Sequence, residues 1–486
     1  MALIMRYLKS IREFIKKHEL LCLFLLFYTI YNLNFRPIPS GDTMPASLLP
    51  FNILENHTLY LDKFYPYLKS EFNPVYFVVE TRGHYLSYYP IVTPILITPL
   101  YVIPYILLKL THYPIDMFNP GFVSIVYMSE KLSASLIAAI SGIFVFLFLK
   151  HLLNRKTALI CAIIYAFATN TWSISSQGLW QQGLVELLLS IILYILIKNE
   201  NSNSNINYIY LGGLTGLLVF NRPVDCLILL PIIYYIAQSQ RKNIISYLIA
   251  ALLSGFPFAL YNFYYFNNLF GGYGNLLSQF SLSSASFVGF MGLLISPSRG
   301  LFVYSPILIL SLFGFLKISR ISNMKFKNLL KLFVFSILIQ VTVYSCFRVW
   351  WSGWSYGPRF LIGMLPILTL FLGLYLTDYV SDKTWGRRGK ITTFFIFLLV
   401  IISIFVQIVG VFYYPNGNWD GEPDNVDLHP ERLWDINDSQ ITRSLSAGIM
   451  GPEKPIKYLQ NIWEYWELSY DLVIVESLFW ASCPEI

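Results

Sequence analysis

The chain has 486 residues, 56% of them hydrophobic and only 13% charged, with a formal net charge of +7. A soluble domain carries about 25% charged residues, so too little polar surface exists here to cover the apolar side chains in water, and a soluble globular protein is excluded. The basic excess does not point to nucleic acid either, because the lysines and arginines sit in short stretches between apolar blocks, where they act as topology signals.

At the N-terminus, Arg6, Lys9, Arg12, Lys16 and Lys17 precede an apolar run over 20–35. The Arg36-Pro37-Ile38-Pro39 that follows lacks the small residues of a cleavage site, which predicts an uncleaved first span. Next comes a long polar loop, 36–89, rich in Tyr and Pro and carrying Asp42, Glu55, Asp62, Glu71 and Glu80. Ordered loops of that length tend to be functional. Apolar blocks follow at 90–110, 132–149, 157–168, 179–197, 208–220, 224–237 and 244–266, then a second loop at 267–300. Further blocks cover 301–316, 329–346, 360–376 and 391–412, each near the roughly 20 residues that cross a bilayer core as a helix. Together they predict an all-α polytopic membrane protein with a membrane domain over 1–413 and a small polar C-terminal domain over 414–486.

Lys and Arg gather on the cytoplasmic side of membrane proteins. The basic clusters at the N-terminus, at Lys150/Arg155/Lys156, Arg241/Lys242, Lys317/Arg320/Lys325/Lys327 and Lys383/Arg387/Arg388/Lys390 therefore predict a cytoplasmic N-terminus in the cell membrane. The loops 36–89 and 267–300, the loop at 347–358 and the tail are then extracytoplasmic. Twelve blocks cannot place the N-terminus and the tail on opposite sides. The suspect stretch is 90–131, broken by Pro90, Pro94, Pro99 and Pro104, where a re-entrant segment or an extra crossing at 118–127 restores parity, giving eleven or thirteen crossings. The Asn/Ser-rich stretch 199–207 reads as a solvated linker.

Among residues that can carry chemistry, the run Ser40-Gly41-Asp42-Thr43-Met44-Pro45 places a carboxylate directly after the first span. Asp42 can act as a general base on an acceptor hydroxyl, or the run can simply cap a helix. A second run, Trp350-Trp351-Ser352-Gly353-Trp354-Ser355-Tyr356-Gly357-Pro358-Arg359, ends in an arginine at the mouth of a span. Arg359 suits a lipid-linked phosphate, since a guanidinium stays charged and offers a fork of donors, with Trp351, Trp354 and Tyr356 shaping a pocket. The alternative is an interfacial aromatic belt with a snorkelling arginine. Arg299, in Ser298-Arg299-Gly300-Leu301-Phe302, repeats the pattern and is a second candidate for the phosphate.

Glu130, Lys131, Gln181, Gln182, Glu186, Arg222 and Asp225 are polar outliers in or beside spans, where ionisable groups face a cavity or each other. Glu130 and Lys131 either line the site or neutralise one another; Arg222 and Asp225 read first as an ion pair of a hairpin between spans. His57, His84 and His429 form no metal-ligand pattern with nearby carboxylates, and Cys22, Cys161, Cys226, Cys346 and Cys483 no disulfide framework. A divalent metal is left open and no other cofactor is indicated.

The acid-bearing first loop, the multispanning core, the Arg-Gly-aromatic run, the Trp-Gly-Trp-x-x-Gly-Pro-Arg run and the polar tail together resemble the GT-C superfamily of integral membrane glycosyltransferases, near its protein mannosyltransferase-like, family 39-like members. The resemblance implies that Asp42 acts at a catalytic centre and that the partners are a polyprenyl-phosphate sugar donor, an acceptor of unspecified kind and the bilayer. Many relatives carry a paired acid in the first loop, whereas here Thr43 follows Asp42, so Glu55, Asp62 and Glu80 are the candidate second acids. A transporter or lipid-linked oligosaccharide flippase is the rival class, expected to show inverted repeats and polar groups near mid-membrane. A lipid-linked glycan polymerase or ligase is a further alternative.

Overall fold

The computed structural model describes residues 17–38, 40–199, 205–274, 280, 285–380 and 387–451. Arg6, Lys9, Arg12, Lys16 and Lys383, most of the 199–207 linker, and Trp463, Trp466, Trp480 and Cys483 of the tail lie outside the described residues. The chain is an all-α polytopic membrane protein: seven helices among the described residues are long and apolar enough to cross a bilayer, and three shorter apolar helices accompany them.

Antiparallel pairing of the first two long elements sets the frame. Helix α1 (Glu19–Asn32) enters the membrane region, and after the first loop come α2 (Met44–Asn56), α3 (Tyr65–Glu71), α4 (Val92–Leu110) and the 33-residue α5 (Pro120–Leu152). Lys150 and Arg155 reach Glu19 at the start of α1, at 3.4 and 2.6 Å. At the other end Lys131 Nζ donates to the Tyr31 carbonyl at 2.8 Å. Residues 131–150 of α5 therefore run alongside α1, and the first turns of α5 project past it. Asn119 starts α5 as an N-cap, accepting from Gly121 N, with Pro120 in the first helical position, where its missing N–H costs nothing.

Helix α4 has the hydropathy of a span, yet both of its ends lie at the Asp42 end of the bundle. Its Thr93 donates to Asn221 at 2.7 Å, and Asn221 in turn donates to the Gln181 carbonyl at 2.9 Å. Its Tyr105 and Lys109 both hold Glu55, at 2.9 and 2.7 Å, near the close of α2, which packs Phe51 against Phe122 on the projecting part of α5. The block at 90–110 is thus the misread one, and no extra crossing occurs at 118–127, which is the opening of α5.

Among the described residues eleven segments then run from end to end: α1; α5; α6 (Arg155–Phe167) with the π-helical Thr171–Ser175; α7 (Gln181–Lys198); α8 (Asn205–Asn221); α9 (Cys226–Ser239); α10 (Ile244–Phe266); α12 (Leu301–Tyr304) continued by α13 (Ile309–Lys317); α14 (Met324–Ser345); the 3-10 turn Arg359–Met364 with α15 (Leu365–Val380); and α16 (Arg387–Phe412). The odd number leaves residue 17 and the tail at opposite ends. Helix α11 (Ala285–Ile295) lies inside the second loop, against α14. Small residues allow the helices to approach closely, as is usual in lipid. A Cβ on Gly212 would stand 2.1 Å from the Tyr247 carbonyl oxygen, and one on Gly216 2.1 Å from Ser254 Oγ, so α8 and α10 pack backbone to backbone.

The first loop folds as α2, α3 and a hairpin of β1 (Val78–Thr81) and β2 (His84–Ser87), antiparallel with Val78 opposite Ser87. The tail segment 414–451 includes α17 (Gln440–Ala447) and packs on the second loop and on 350–358, with Trp419 buried in the contact.

Candidate active site

At the Asp42 end the first loop, the start of α7, the 344–359 stretch and the tail enclose a cavity of about 1080 Å³. Local chemistry aims Asp42 into it. Ser40 and Thr43 form a capping box around the 3-10 turn Gly41–Thr43, with Ser40 Oγ accepting from Asp42 N at 3.3 Å. Capping is therefore done by the neighbours, and the Asp42 carboxylate is left for the cavity.

Arg359 arrives from 317 residues away and pairs through Nη1 with Asp42 Oδ2. Its Nη2 donates to the Ser352 carbonyl at 2.5 Å, and its guanidinium lies 4.3 Å from the Trp180 ring centroid, within cation–π range. The loop can fold back on Arg359 because Ser352, Gly353 and Gly357 take left-handed backbone angles; at Gly357 a Cβ would also strike the Tyr304 ring at 2.4 Å. Arg359 Nε is buried without a hydrogen-bond partner.

The second Asp42 oxygen accepts from Tyr89 OH at 2.6 Å, and the Tyr76 hydroxyl is tucked against Gly41 beside the same carboxylate. Burial and then the Asp42 charge push the Tyr89 and Tyr76 hydroxyls above their ordinary value. Tyr273 is also raised, by burial against the opposing Arg222 charge, and donates to Gln181 Oε1 at 2.9 Å. The hydroxyls around the carboxylate thus stay neutral, with Tyr89 donating to Asp42 and Tyr273 to Gln181.

Of the residues singled out from sequence, Asp42, Arg359, Gln181, Gln182, Arg222, Trp354 and Tyr356 line this cavity. Tyr356 does so with its hydroxyl bonded to the Val406 carbonyl at 2.7 Å. Trp351 stands behind the wall, donating from Nε1 to Asp427 at 2.7 Å. The three candidate second acids are elsewhere. Glu55 is held by Tyr105 and Lys109, Asp62 by His84 and Tyr85 N at 2.7 and 2.6 Å, and Glu80 is exposed on β1. Further carboxylates on the cavity wall are Glu71, one of the first-loop acids but not a candidate second acid, and Asp427, which no sequence pattern marked.

Glu130 and Lys131 neither line the cavity nor pair with each other. Glu130 accepts from Leu179 N at 3.1 Å, while Lys131 donates to the Tyr31 and Ser176 carbonyls and to Gln177, fastening the π segment to α1. Arg222 does meet Asp225, at 3.4 Å, and still faces the cavity.

Arg299 is the main correction. It is fully buried away from the cavity, with all five N–H donors engaged: Nε on Trp351 O, Nη1 on Ser298 O and Gln440, Nη2 on Gly353 O and Asp420. No donor is left for a phosphate. Among the described residues no three His, Cys, Asp or Glu side chains gather as a set able to hold a metal ion.

No protein-family model matches the chain, and no curated protein matches it. Among solved structures it is similar to the crystal structure of ArnT from Cupriavidus metallidurans bound to undecaprenyl phosphate, at 12% identity over 81% of this chain and 69% of that one, with a TM-score of 0.49.

Proposed function

We propose that the protein is a membrane glycosyltransferase that moves a sugar from a polyprenyl-phosphate donor to an acceptor hydroxyl on a lipid, glycan or protein, with inversion. The observation that carries this reading is the meeting of Asp42 and Arg359 in one cavity at one end of a membrane bundle. A carboxylate beside a guanidinium supplies the two things glycosyl transfer needs: a proton acceptor and a partner for the departing phosphate.

In the reaction the acceptor oxygen attacks the anomeric carbon while Asp42 takes its proton. The bond from that carbon to the phosphate oxygen breaks, and the electron pair leaves with the lipid phosphate, whose charge Arg359 meets. Positive charge grows at the sugar in the transition state, as in glycoside hydrolysis, while Tyr89 holds the Asp42 carboxylate in place through the hydrogen bond it donates. Arg359 is paired with Asp42. An incoming phosphate draws on the same guanidinium, so donor binding and release of the base are coupled. Basic residues collect at the opposite end of the bundle, which supports an extracytoplasmic side for this chemistry.

The test is transfer by the purified full chain from labelled polyprenyl-phosphate sugars. General-base removal costs about 10²- to 10⁴-fold, so Asp42→Asn is expected to fall at least a hundredfold in rate. Undiminished transfer by that variant would remove Asp42 from the role.

A further inference from the structure

Arg222 is not used by the reaction as drawn, and its surroundings are unlike those of a structural arginine. It precedes the 3-10 turn Pro223–Asp225, in the link between α8 and α9, and lines the same cavity as Arg359. Its guanidinium lies over the rings of Tyr344 and Phe360, at 5.4 and 5.7 Å. Phe360 is the neighbour of Arg359 in the chain, so both cations flank one stretch of wall. The side chain is only 6% exposed, and Nη1 is buried with no hydrogen-bond partner.

The contact with Asp225 is loose. At 3.4 Å from Nε it is an ion pair rather than a well-made hydrogen bond. Asp225 spends its other oxygen on Gln340 Nε2 and on Tyr344 OH, the latter at 3.1 Å, and does not reach the cavity. Arg299, which braces the fold, has every donor filled, whereas Arg36, held by the tail, leaves only Nε without a partner. Arg222 is held by one edge and left with another unfilled, an arrangement that a ligand oxygen completes. A buried donor without a partner is rare in native structures.

We propose that Arg222 marks a second anion-binding position in the cavity, separate from Arg359, which takes a second phosphate of the substrates. It rests on the reading above for the identity of the lipid carrier. That phosphate comes either from the donor, which would then be a polyprenyl diphosphate, or from a phosphate-bearing acceptor; the recognition chemistry is the same, since a guanidinium fork matches phosphate oxygens.

Binding measurements on the full chain in lipid nanodiscs decide it without turnover, so failure of the transfer assay leaves this test intact. The probes are polyprenyl monophosphate, polyprenyl diphosphate, and inorganic phosphate added to protein saturated with the monophosphate. If the donor supplies the second phosphate, wild type binds diphosphate at least tenfold tighter than monophosphate. Arg222→Gln then loses that preference and keeps monophosphate affinity within about twofold, which also shows that the variant is folded. If the acceptor supplies it, the two lipids bind alike, and inorganic phosphate binds the monophosphate-saturated wild type but not Arg222→Gln. Arg222→Lys, which keeps the charge and loses the fork, should fall between. The proposal is overturned if wild type shows neither the diphosphate preference nor the added phosphate, a result that needs no variant at all. It is equally overturned if Arg222→Gln retains whichever of the two wild type shows.

Discussion

Replacing Arg299 by Gln separates a cation that braces the fold from one that binds substrate. In the native structure its Nη2 meets Asp420 at 2.7 Å, with the arginine side chain 0% and the aspartate 5% exposed. Its guanidinium also lies 5.2 Å from the Trp419 ring centroid. The variant leaves the Asp420 charge buried, with Tyr414 OH at 3.1 Å and Gln440 Nε2 at 3.2 Å as its remaining donors. Removing one partner of a buried pair costs about 3–5 kcal/mol, and each 1.4 kcal/mol is a factor of about ten in an equilibrium. Detachment of the 414–451 segment should therefore rise by about 10²-fold to several thousandfold, read as the rate of limited proteolysis within it under conditions where the rest of the chain resists. The double variant Arg299→Gln with Asp420→Asn removes the stranded charge, and its cost should be less than the sum of the single costs by about 1–3 kcal/mol.

Acidity supplies an independent check. Burial raises the Asp420 pKa in the native state even with Arg299 in place, and without the cation the rise is larger. A group with a folded-state pKa above its unfolded value binds more protons when folded, so stability increases as the pH falls through that interval. The Arg299→Gln defect should accordingly shrink on acidification from neutral pH, and that of the double variant should not. Normal proteolytic resistance of Arg299→Gln combined with lost monophosphate binding would refute the structural assignment and return Arg299 to the substrate.

Tyr89→Phe removes one hydrogen bond to the Asp42 carboxylate, worth about 1.5–3 kcal/mol for a charged acceptor; the rate of transfer should fall by roughly tenfold or more. Because the Tyr89 hydroxyl is already raised above the usual phenol value near 10, wild type and variant should share the same pH profile up to about pH 10, and a shifted alkaline limb would contradict the assignment. Trp180→Ala removes the ring beneath Arg359, a contact worth about 0.5–2 kcal/mol. Monophosphate binding should weaken by roughly 2- to 30-fold, with Trp180→Phe recovering most of it; equal loss in both variants would argue against the cation–π contribution.

The general architecture was legible in composition, because blocks of apolar residues with basic links have no other stable solvent. Helix α4 was not, since a membrane-facing helix that starts and ends at one side has the hydropathy of one that crosses; its prolines were the only local hint. Asp42 and Arg359 stood out because each lies in a short run of turn-forming and aromatic residues beside a span. The same local pattern misdirected the reading of Arg299, whose surroundings are set by Asp420 and Gln440, 121 and 141 residues further along. No window around position 299 contains that information. Glu71, Asp427 and Tyr76 escaped for the same reason: their neighbours in space come from other loops, so no spacing signals them. The candidates Glu55 and Asp62 failed because hairpin and helix contacts within the first loop had already claimed their oxygens.

The tie between Arg299 and Asp420 bears on how the protein is made. When the chain emerges residue by residue, position 299 is produced long before the aspartate that neutralises it, and two further hairpins of membrane helix must be inserted in between. Until then the guanidinium must stay hydrated at the membrane surface. The chamber is therefore among the last things to form during biogenesis, and a polypeptide truncated before residue 420 would insert its helices yet never close the vessel in which they are meant to work.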